Sequence, residues 1–266
     1  MNDGINPLPG SDVFGDRHRQ EALTEKTESA VLLLRTAVSA HAPAVFANSL
    51  GAEDMVLTDL IAREKLDIGI FSIDTGRLPP ETHDLLHAAG RHYGLAIRLY
   101  APRHDLLEAH VNASGVNSFY HSVALRKACC HVRKVEPLQR ALAGKKSWVT
   151  GLRAQQALTR AGLPARHYDA ANGLEKFNPL HDWGENDVWD YIRSRKVPYN
   201  RLHDRNFPSI GCAPCTRAVT LGEDQRAGRW WWERDGEKEC GLHVQREIPV
   251  PQGASTDPSR QPGAPA

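Results

Sequence analysis

The chain has 266 residues, 41% of them hydrophobic, and a net charge of +1, which suits one ordinary globular domain or two small ones. This charge gives no general attraction to nucleic acid or anionic membranes, and no apolar run approaches the ~20 residues of a membrane span. The first residues do not resemble a secretory signal, so we expect a cytoplasmic protein with no nucleic-acid or membrane partner. Cytosolic thiols stay reduced, so the five cysteines point to metal binding or catalysis rather than disulfides.

Apolar periodicity predicts alternating helices and strands along most of the chain. A helix is expected from about Arg19 to Ala40, then a short buried strand at 44–47 and a helix at 52–64. The later predicted elements are a strand at 68–73, a helix that Pro79-Pro80-Glu81 opens and that runs to about Tyr93, and a strand at 95–100. Helical segments from 105 to about 144, a strand at 147–150 and a helix at 186–195 follow. This order predicts an α/β fold with a mostly parallel sheet flanked by helices.

Three short turns follow predicted strands, at 49–53, 74–77 and 151–153. Ligands of parallel sheets bind beyond the carboxyl ends of the strands, so these turns are expected to line one crevice. The small residues of the first turn, Ser49-Leu50-Gly51-Ala52-Glu53, start a helix whose backbone N–H groups suit a phosphate, although such turns are frequent. The sequence contains no P-loop, dinucleotide-binding, serine-hydrolase or zincin motif, which argues against those enzyme classes.

The cysteines form two pairs and one single residue. Cys129 and Cys130 are adjacent, whereas Cys212 and Cys215 form a C-x2-C chelate. Four thiolates suit zinc or an iron–sulfur cluster. Adjacent side chains diverge on a helix, which a cluster with separate iron corners tolerates better than a single ion does. The residues alone leave zinc and iron–sulfur open, as well as two structural cysteines beside a zinc-binding C-x2-C.

Cys240 is the remaining thiol, in the segment ECGLH. Its charged and glycine neighbours predict exposure, which favours a nucleophilic or redox role over an idle thiol, and His243 could assist it. Lys134 comes four residues after Cys130, one helical turn away. It could reach a metal site and an anionic substrate, or be an ordinary solvated lysine.

Arg226 and Arg229 are three residues apart, and Trp230, Trp231 and Trp232 follow directly. On a helical turn the two arginines would share a face and could bind one phosphate or sulfate, or they could be plain surface residues. We expect the tryptophans to pack against the sheet, with stacking on a base as the alternative.

Taken in order, several motifs resemble one family. They are SLGAEDMVL, IDTGRLPPET, the CC pair, TGLR, NPLHDW-x5-VW-x-YI, the late C-x2-C and ECGLH. Over roughly residues 40–245 the chain is similar to assimilatory adenylyl-sulfate reductases, the cysteine-pair branch of the adenylyl- and phosphoadenylyl-sulfate reductases. The resemblance implies an adenine-nucleotide alpha hydrolase-like fold and the reduction of adenosine 5'-phosphosulfate to sulfite and AMP.

The resemblance also assigns roles to residues. It makes Cys240 the nucleophile that becomes an S-sulfocysteine, and thioredoxin or glutaredoxin the reductant. It implies a [4Fe-4S] cluster on Cys129, Cys130, Cys212 and Cys215. The substrate-binding residues it implies are Ser49, Gly51, Ala52, Glu53, Asp74, Thr75, Gly76, Arg77, Lys134, Arg153, Arg226, Arg229 and His243. It is compatible with a homo-oligomer.

With this resemblance, the chain divides into four expected parts. These are a flexible arm at 1–17, an α/β nucleotide-binding reductase domain with the iron–sulfur site at 18–228, a mobile segment carrying Cys240 at 229–246, and a disordered proline-rich tail at 247–266.

Three rival functions remain. A phosphoadenylyl-sulfate reductase would share the fold and nucleophile but typically lacks the cysteine pairs. A non-catalytic zinc module would bind protein or nucleic acid through Trp230–Trp232. A sulfurtransferase or ligase on the same fold would need an S-G-G-x-D-S loop, which the sequence lacks.

Overall fold

The computed structural model describes residues 11–156 and 162–233, with only the backbone for residues 11–16. The helices are α1 (Ser11–Ala40), α2 (Ala52–Arg63), α3 (Pro80–Tyr93), α4 (His104–Ser114), α5 (Val123–Cys130), α6 (Glu136–Leu142) and α7 (Glu185–Arg195). The strands are β1 (Ala44–Ala47), β2 (Ile68–Ile73), β3 (Ile97–Tyr100), β4 (Ser147–Val149), β5 (Arg166–Asp169) and β6 (Leu174–Phe177). Helices and strands alternate along the chain, as the periodicity predicted.

The six strands form one sheet in the order β3-β2-β1-β4-β6-β5. Every neighbouring pair is parallel except β5 and β6, which are antiparallel. The predicted fold class, a mostly parallel sheet flanked by helices, is therefore confirmed. The central strands are short apolar runs because both of their faces are covered.

Side-chain alternation divides the core into two layers. Phe46 of β1 and Val149 of β4 point to one face, which α1, α2, α3 and α7 cover. Their neighbours Val45 and Trp148 point to the other face, where α6 packs. A sheet covered on both faces exposes ligand-binding positions at the strand ends rather than on its surfaces.

Two local predictions were wrong. Helix α1 begins at Ser11 rather than near Arg19, so residues 11–17, expected in a flexible arm, are helical. This stretch has few apolar residues, so hydrophobic periodicity does not detect it. The β5–β6 hairpin was also missed, because its strands, RHYD and LEKF, are short and rich in charged residues.

The carboxyl ends of β1, β2 and β4 lie side by side, since β1 pairs with both other strands in parallel. The three turns singled out in the sequence therefore meet at one edge of the sheet. Within the described residues, no helix is long and apolar enough to cross a membrane.

Candidate active site

A cavity of about 250 Å³ opens at the carboxyl ends of β1, β2 and β4, and we call it the strand-end cavity. It is lined by seven of the substrate-binding residues that the resemblance implied: Ser49, Gly51, Glu53, Thr75, Lys134, Arg226 and Arg229. Ala52 is buried as the first residue of α2. The predicted crevice thus exists, and six of these seven residues carry a charge or a hydroxyl on segments far apart in the chain.

The turn after β1 is held by its own polar side chains. Leu50 is buried and has a φ of 65°, an unusual backbone conformation for a branched residue. The Leu50 N–H donates to Asn48 Oδ1 at 2.7 Å, and Asn48 Nδ2 donates to Thr58 Oγ1 at 2.8 Å. These bonds fix the backbone that leads into α2, so the start of the helix faces the cavity.

Asp54 ties this turn to the turn after β4. Its Oδ2 accepts from the Ser49 N–H at 2.6 Å, and its carboxylate also accepts from the Gly151 N–H. A Cβ at Gly151 would overlap the Asp54 carboxylate, so only glycine allows this approach. Burial raises the pKa of Asp54 to about 6, against the lowering effect of its hydrogen bonds with Ser49.

Glu53 and Arg153 form a largely buried ion pair at the rim. Arg153 Nε donates to Glu53 Oε1 at 2.8 Å, and its Nη1 donates to the Trp183 carbonyl at 3.3 Å. The Arg153 side chain is 4% exposed. Arg153 therefore supports the lining residue Glu53, and it is not itself among the residues that line the cavity.

The residues of the turn after β2 do not all line the strand-end cavity. Thr75 lines the cavity and accepts a hydrogen bond from the Cys212 thiol at 3.2 Å. Asp74 accepts from the Gly76 N–H at 2.9 Å and contacts His83 at 3.1 Å, so it stabilises the turn. Arg77 instead lies over the Phe119 ring, 5.0 Å from its centroid. Asp74, Gly76 and Arg77 are outside the lining of the strand-end cavity.

Arg226 and Arg229 reach the cavity from a turn rather than from the expected helix. The Arg229 N–H donates to the Arg226 carbonyl at 2.8 Å, and Arg229 forms an isolated antiparallel bridge with Thr216. Its buried guanidinium contacts Ser209 Oγ and the Ile210 carbonyl at 3.3 and 3.2 Å. The bridge brings both arginines to the lining although neither lies on a helix.

The four paired cysteines line a second, much smaller cavity of about 10 Å³, which we call the cysteine cavity. All four thiols are free and buried. The residues that complete its lining are Arg77, Phe119, Arg126, Arg133, Lys134, Pro214 and Trp230. Lys134 and Trp230 also line the strand-end cavity, so the two cavities share a wall.

The chain changes helix type directly after the adjacent cysteines. Helix α5 ends at Cys130, and a π-helical turn, His131–Val135, leads into α6. Such wide turns are rare overall, and many of those that occur lie at functional sites. This turn places Lys134 at the shared wall and buries Arg133, whose Nη1 donates to the Thr75 carbonyl at 2.6 Å. Lys134 is thus half-buried between two sites rather than a solvated surface lysine.

The thiols of the C-x2-C pair differ in acidity. Burial alone would raise the pKa of Cys212, but Lys134 and the Thr75 hydroxyl outweigh it and lower that pKa below its usual value. Burial, followed by the neighbouring Cys212, raises the pKa of Cys215 to about 12. The cavity therefore already carries cations that favour thiolate at one of its four sulfur atoms.

Among the described residues, no group of three or more His, Cys, Asp or Glu residues has the arrangement to hold a single metal ion. Four thiols nevertheless surround one enclosed space, with cationic and aromatic side chains filling the rest of its wall. The donor set consists of sulfur only. Four thiolates are the ligand set of iron–sulfur clusters and also of some structural zinc sites.

Trp230 and Trp232 pack beside the cysteine cavity rather than on the sheet, contrary to expectation, whereas Trp231 is exposed. Trp230 is 1% exposed and belongs to the cluster formed by Phe119 and the cysteines. Trp232 lies 4.5 Å from Tyr120 and 4.8 Å from Trp231, measured between ring centroids. Residues 229–233, expected to begin a mobile segment, are therefore packed through Trp230 and Trp232.

Sequence reasoning missed several polar lining residues. They are Asn48, Asp54, Thr150, Gln156, His203, Ser209 and Gln225. Asp54 directly follows Glu53 in the first turn, so its position was a usable signal, whereas His203 lies in a loop without any motif. Cys240 and His243 lie outside the described residues.

Comparison with known proteins agrees with this geometry. The family model described as the phosphoadenosine phosphosulfate reductase domain matches residues 43–218. An adenosine 5'-phosphosulfate reductase of Allochromatium vinosum is 57% identical over 239 residues, which covers 90% of this chain and 93% of that protein. A protein of the same name from Neisseria meningitidis serogroup B is 53% identical over 225 residues, covering 84% and 92%.

Solved structures show the same architecture. A phosphoadenylyl-sulfate reductase from Candida auris, in a phosphate complex, is 28% identical with a TM-score of 0.62, and the match covers 81% of this chain and all of that one. A yeast FAD synthetase, 15% identical with a TM-score of 0.50 over 74% of this chain and 68% of its own, shares the fold alone. From the family match and these relatives together, the chain belongs to the phosphoadenosine phosphosulfate reductase family, with the adenine-nucleotide alpha hydrolase-like fold.

Proposed function

We propose that this protein is an oxidoreductase of sulfate assimilation that reduces adenosine 5'-phosphosulfate to sulfite and AMP. The observation that carries the proposal is the shared wall between a substrate-sized cavity at the strand ends and a cavity lined by four thiols. Relatives named adenosine 5'-phosphosulfate reductase, 46–57% identical to the chain, support the same assignment.

We place the phosphosulfate group at the cationic end of the strand-end cavity. Lys134, Arg226 and Arg229 converge there, while Ser49 and the first N–H groups of α2 face the same space. Cations at this position stabilise the charge that develops on the departing AMP. The nucleotide would then extend along the turn that contains Thr75.

The chemistry needs one nucleophile and two external thiols. The Cys240 thiolate attacks the sulfur atom of the substrate, forming an S–S bond and breaking the bond from that sulfur to the bridging oxygen, so AMP leaves with the oxygen. A thiolate of thioredoxin, or of glutaredoxin, then attacks Cys240 Sγ and releases sulfite with the electron pair of the S–S bond. Its second thiol resolves the mixed disulfide and restores Cys240. In this scheme His243 assists the transfer, and both electrons come from the partner.

We propose that Cys129, Cys130, Cys212 and Cys215 hold a [4Fe-4S] cluster. When bound, the cluster would supply a local electric field and a rigid wall beside the phosphosulfate rather than electrons. Lys134 would contact both the cluster side and the substrate side, because it lines both cavities. The reducing cytoplasm, where we place the reaction, would keep the thiols reduced.

A sulfite-release assay tests the proposal. Anaerobically purified protein would be given adenosine 5'-phosphosulfate or its 3'-phosphorylated form, each with and without thioredoxin. We expect thioredoxin-dependent sulfite from the unphosphorylated substrate. An absence of sulfite from both substrates, with iron bound and the fold intact, would contradict the proposed function.

The alternative substrate is 3'-phosphoadenosine 5'-phosphosulfate. The structural match to a phosphoadenylyl-sulfate reductase, which covers 81% of this chain, favours it, whereas the two cysteine pairs favour the unphosphorylated compound. Sulfite mainly from the 3'-phosphorylated form would keep the chemistry and change the substrate.

A further inference from the structure

One arginine contacts a thiol of the cysteine cavity directly. Arg126 and Cys130 lie four residues apart on α5, so their side chains share one face of the helix. The Arg126 guanidinium is fully buried, lines the cysteine cavity and donates a hydrogen bond to the Cys130 sulfur. Cys130 is the last residue of α5, and the π-helical turn His131–Val135 follows at once. Arg126 therefore contacts this thiol from the regular side of a change in helix type.

Glu233 holds the same guanidinium from a segment 107 residues further along the chain. Arg126 Nε donates to Glu233 Oε1 at 2.8 Å, and Arg126 Nη2 donates to Oε2 at 2.7 Å. The two side chains are 0% and 3% exposed, so water does not compete for these bonds. The two-point contact uses only some of the N–H groups of a guanidinium, which leaves others to donate to the sulfur.

The Trp230 ring is a further contact of this guanidinium. Its centroid lies 4.7 Å from Arg126 Cζ, and the ring is itself buried among the cysteines of the cavity. A guanidinium held by both a carboxylate and an aromatic ring has little freedom to turn. The N–H group that donates to Cys130 therefore keeps a constant direction.

The ion pair gives the four-thiol site a directed hydrogen bond rather than a net charge. Glu233 compensates the positive charge of Arg126, so the effect on the Cys130 sulfur comes mainly from the N–H group that points at it. A buried ion pair is weak evidence for stability, because the cost of removing both charges from water offsets their attraction. Hydrogen bonds from residues behind a metal ligand, in contrast, orient that ligand and strengthen metal binding.

We propose that Arg126 is a positioning residue for the four-thiol site: it holds the Cys130 sulfur in the wall of the cysteine cavity, and Glu233 holds Arg126. This role rests on the proposed function, which gives the four thiols a resident cluster. Loss of the hydrogen bond lets the Cys130 side chain turn away from the cavity, so the site loses its iron more readily.

Iron release measures this role without using activity. Anaerobically purified, iron-loaded protein would be mixed with an iron chelator, and the loss of visible absorbance would be followed with time. Arg126→Lys keeps the positive charge but loses the planar group that contacts Glu233 and Cys130 together. We expect this variant to release iron about 10–100 times faster than the wild type, the range by which loss of such a hydrogen bond weakens metal binding.

The matched control is Arg166→Lys. Arg166 also pairs with a glutamate, Glu175, at 2.8 Å and lies over an aromatic ring, that of Phe177, at 5.5 Å. It is 42% exposed, however, and lines neither cavity. We expect Arg166→Lys to release iron at the wild-type rate.

The reduction potential of the bound cluster separates positioning from general support of the fold. A hydrogen bond to a ligand sulfur favours the reduced, more negatively charged cluster. We therefore expect a more negative potential in Arg126→Lys and an unchanged potential in Arg166→Lys, measured by a redox titration of the visible spectrum.

A wild-type rate of iron release from Arg126→Lys would overturn the proposal. Faster release at an unchanged potential would also overturn it, because Arg126 would then support only the fold. If Arg126→Lys does not fold, Glu233→Asp carries both measurements, since it keeps the charge but is too short for the two-point contact, and wild-type values would overturn the proposal equally. If the wild type binds zinc instead of iron, the proposed cluster fails, while the release of zinc to a chelator still decides the role of Arg126.

Discussion

The cysteine cavity and the strand-end cavity adjoin each other but are built from different kinds of contact. The strand-end cavity is shaped by turns that follow neighbouring strands, and it measures about 250 Å³. The cysteine cavity measures about 10 Å³ and is lined by Arg77 and by side chains of two segments, 119–134 and 212–230, about eighty residues apart. A large space formed by backbone turns suits a ligand that enters and leaves. A small space lined by four buried thiols suits a resident group.

The two cavities are coupled through shared residues and through direct contacts between their linings. Lys134 and Trp230 belong to both, and Thr75 connects them by its hydrogen bond with Cys212. Changes confined to the cysteine cavity should therefore alter iron binding, and changes confined to the strand-end cavity should alter substrate binding. Changes in the shared wall should alter the chemistry that depends on both.

The largest expected effect comes from removing the nucleophile while leaving both cavities intact. Cys240→Ser should bind iron and substrate as the wild type does, yet sulfite release should fall by at least about a thousandfold. Sulfite assays and AMP-binding titrations measure the two quantities. Normal turnover in this variant would contradict the proposed mechanism.

Removing one thiol of the cysteine cavity should affect iron and activity together. Cys212→Ser replaces a thiol that faces Thr75 and the other cysteines, so we expect the variant to lose both its iron and its sulfite release. Iron analysis and visible absorbance measure the first loss. Cys240→Ser serves as the control, because it makes the same substitution outside the four cavity thiols. An active, iron-free variant would show that the cluster is not required.

The strand-end cavity could be predicted from sequence because its determinants are local. Buried strands are short apolar runs, and the turns after them must meet at one edge of a parallel sheet. The positions of Ser49, Thr75 and Gly151 followed from this rule, and all three line the cavity.

The environment of the cysteines could not be predicted in the same way. Spacing indicated two pairs, but it gave no sign that Arg126 would be buried beside them or that Trp230 would close the cavity. Both positions depend on the antiparallel bridge between Thr216 and Arg229 and on a contact across 107 residues. Periodicity contains no information about such long-range contacts, which is also why the tryptophans were expected on the sheet.

A change in the shared wall should reduce turnover without removing iron. Lys134→Met keeps a long unbranched side chain but removes the cation that faces both cavities. We expect kcat/KM for adenosine 5'-phosphosulfate to fall by about 10²–10³, because a charge at the leaving group is lost. Lys127→Met, an exposed lysine one helix earlier, is the matched control and should behave as the wild type. Equal activity of the two variants would exclude Lys134 from the chemistry.

The smallest expected effect is a pH-dependent change in stability at the strand-end cavity. Burial raises the pKa of Asp54 from 3.8 to about 6, so the folded protein binds this proton more tightly than the unfolded chain does. The Asp54 carboxyl therefore stabilises the folded protein below pH 4, and this stabilisation is lost as the pH rises through 6. Wild type should therefore lose about 2 kcal/mol of unfolding free energy relative to Asp54→Asn between pH 4 and 7. Asp105→Asn is the control, because hydrogen bonding to Arg103 lowers the pKa of this exposed carboxylate and its effect has the opposite sign. Urea unfolding at several pH values measures these differences. A constant difference between wild type and Asp54→Asn would mean that the pKa of Asp54 is the same in the folded and the unfolded protein, so that its hydrogen bonds with Ser49 and Gly151 balance its burial.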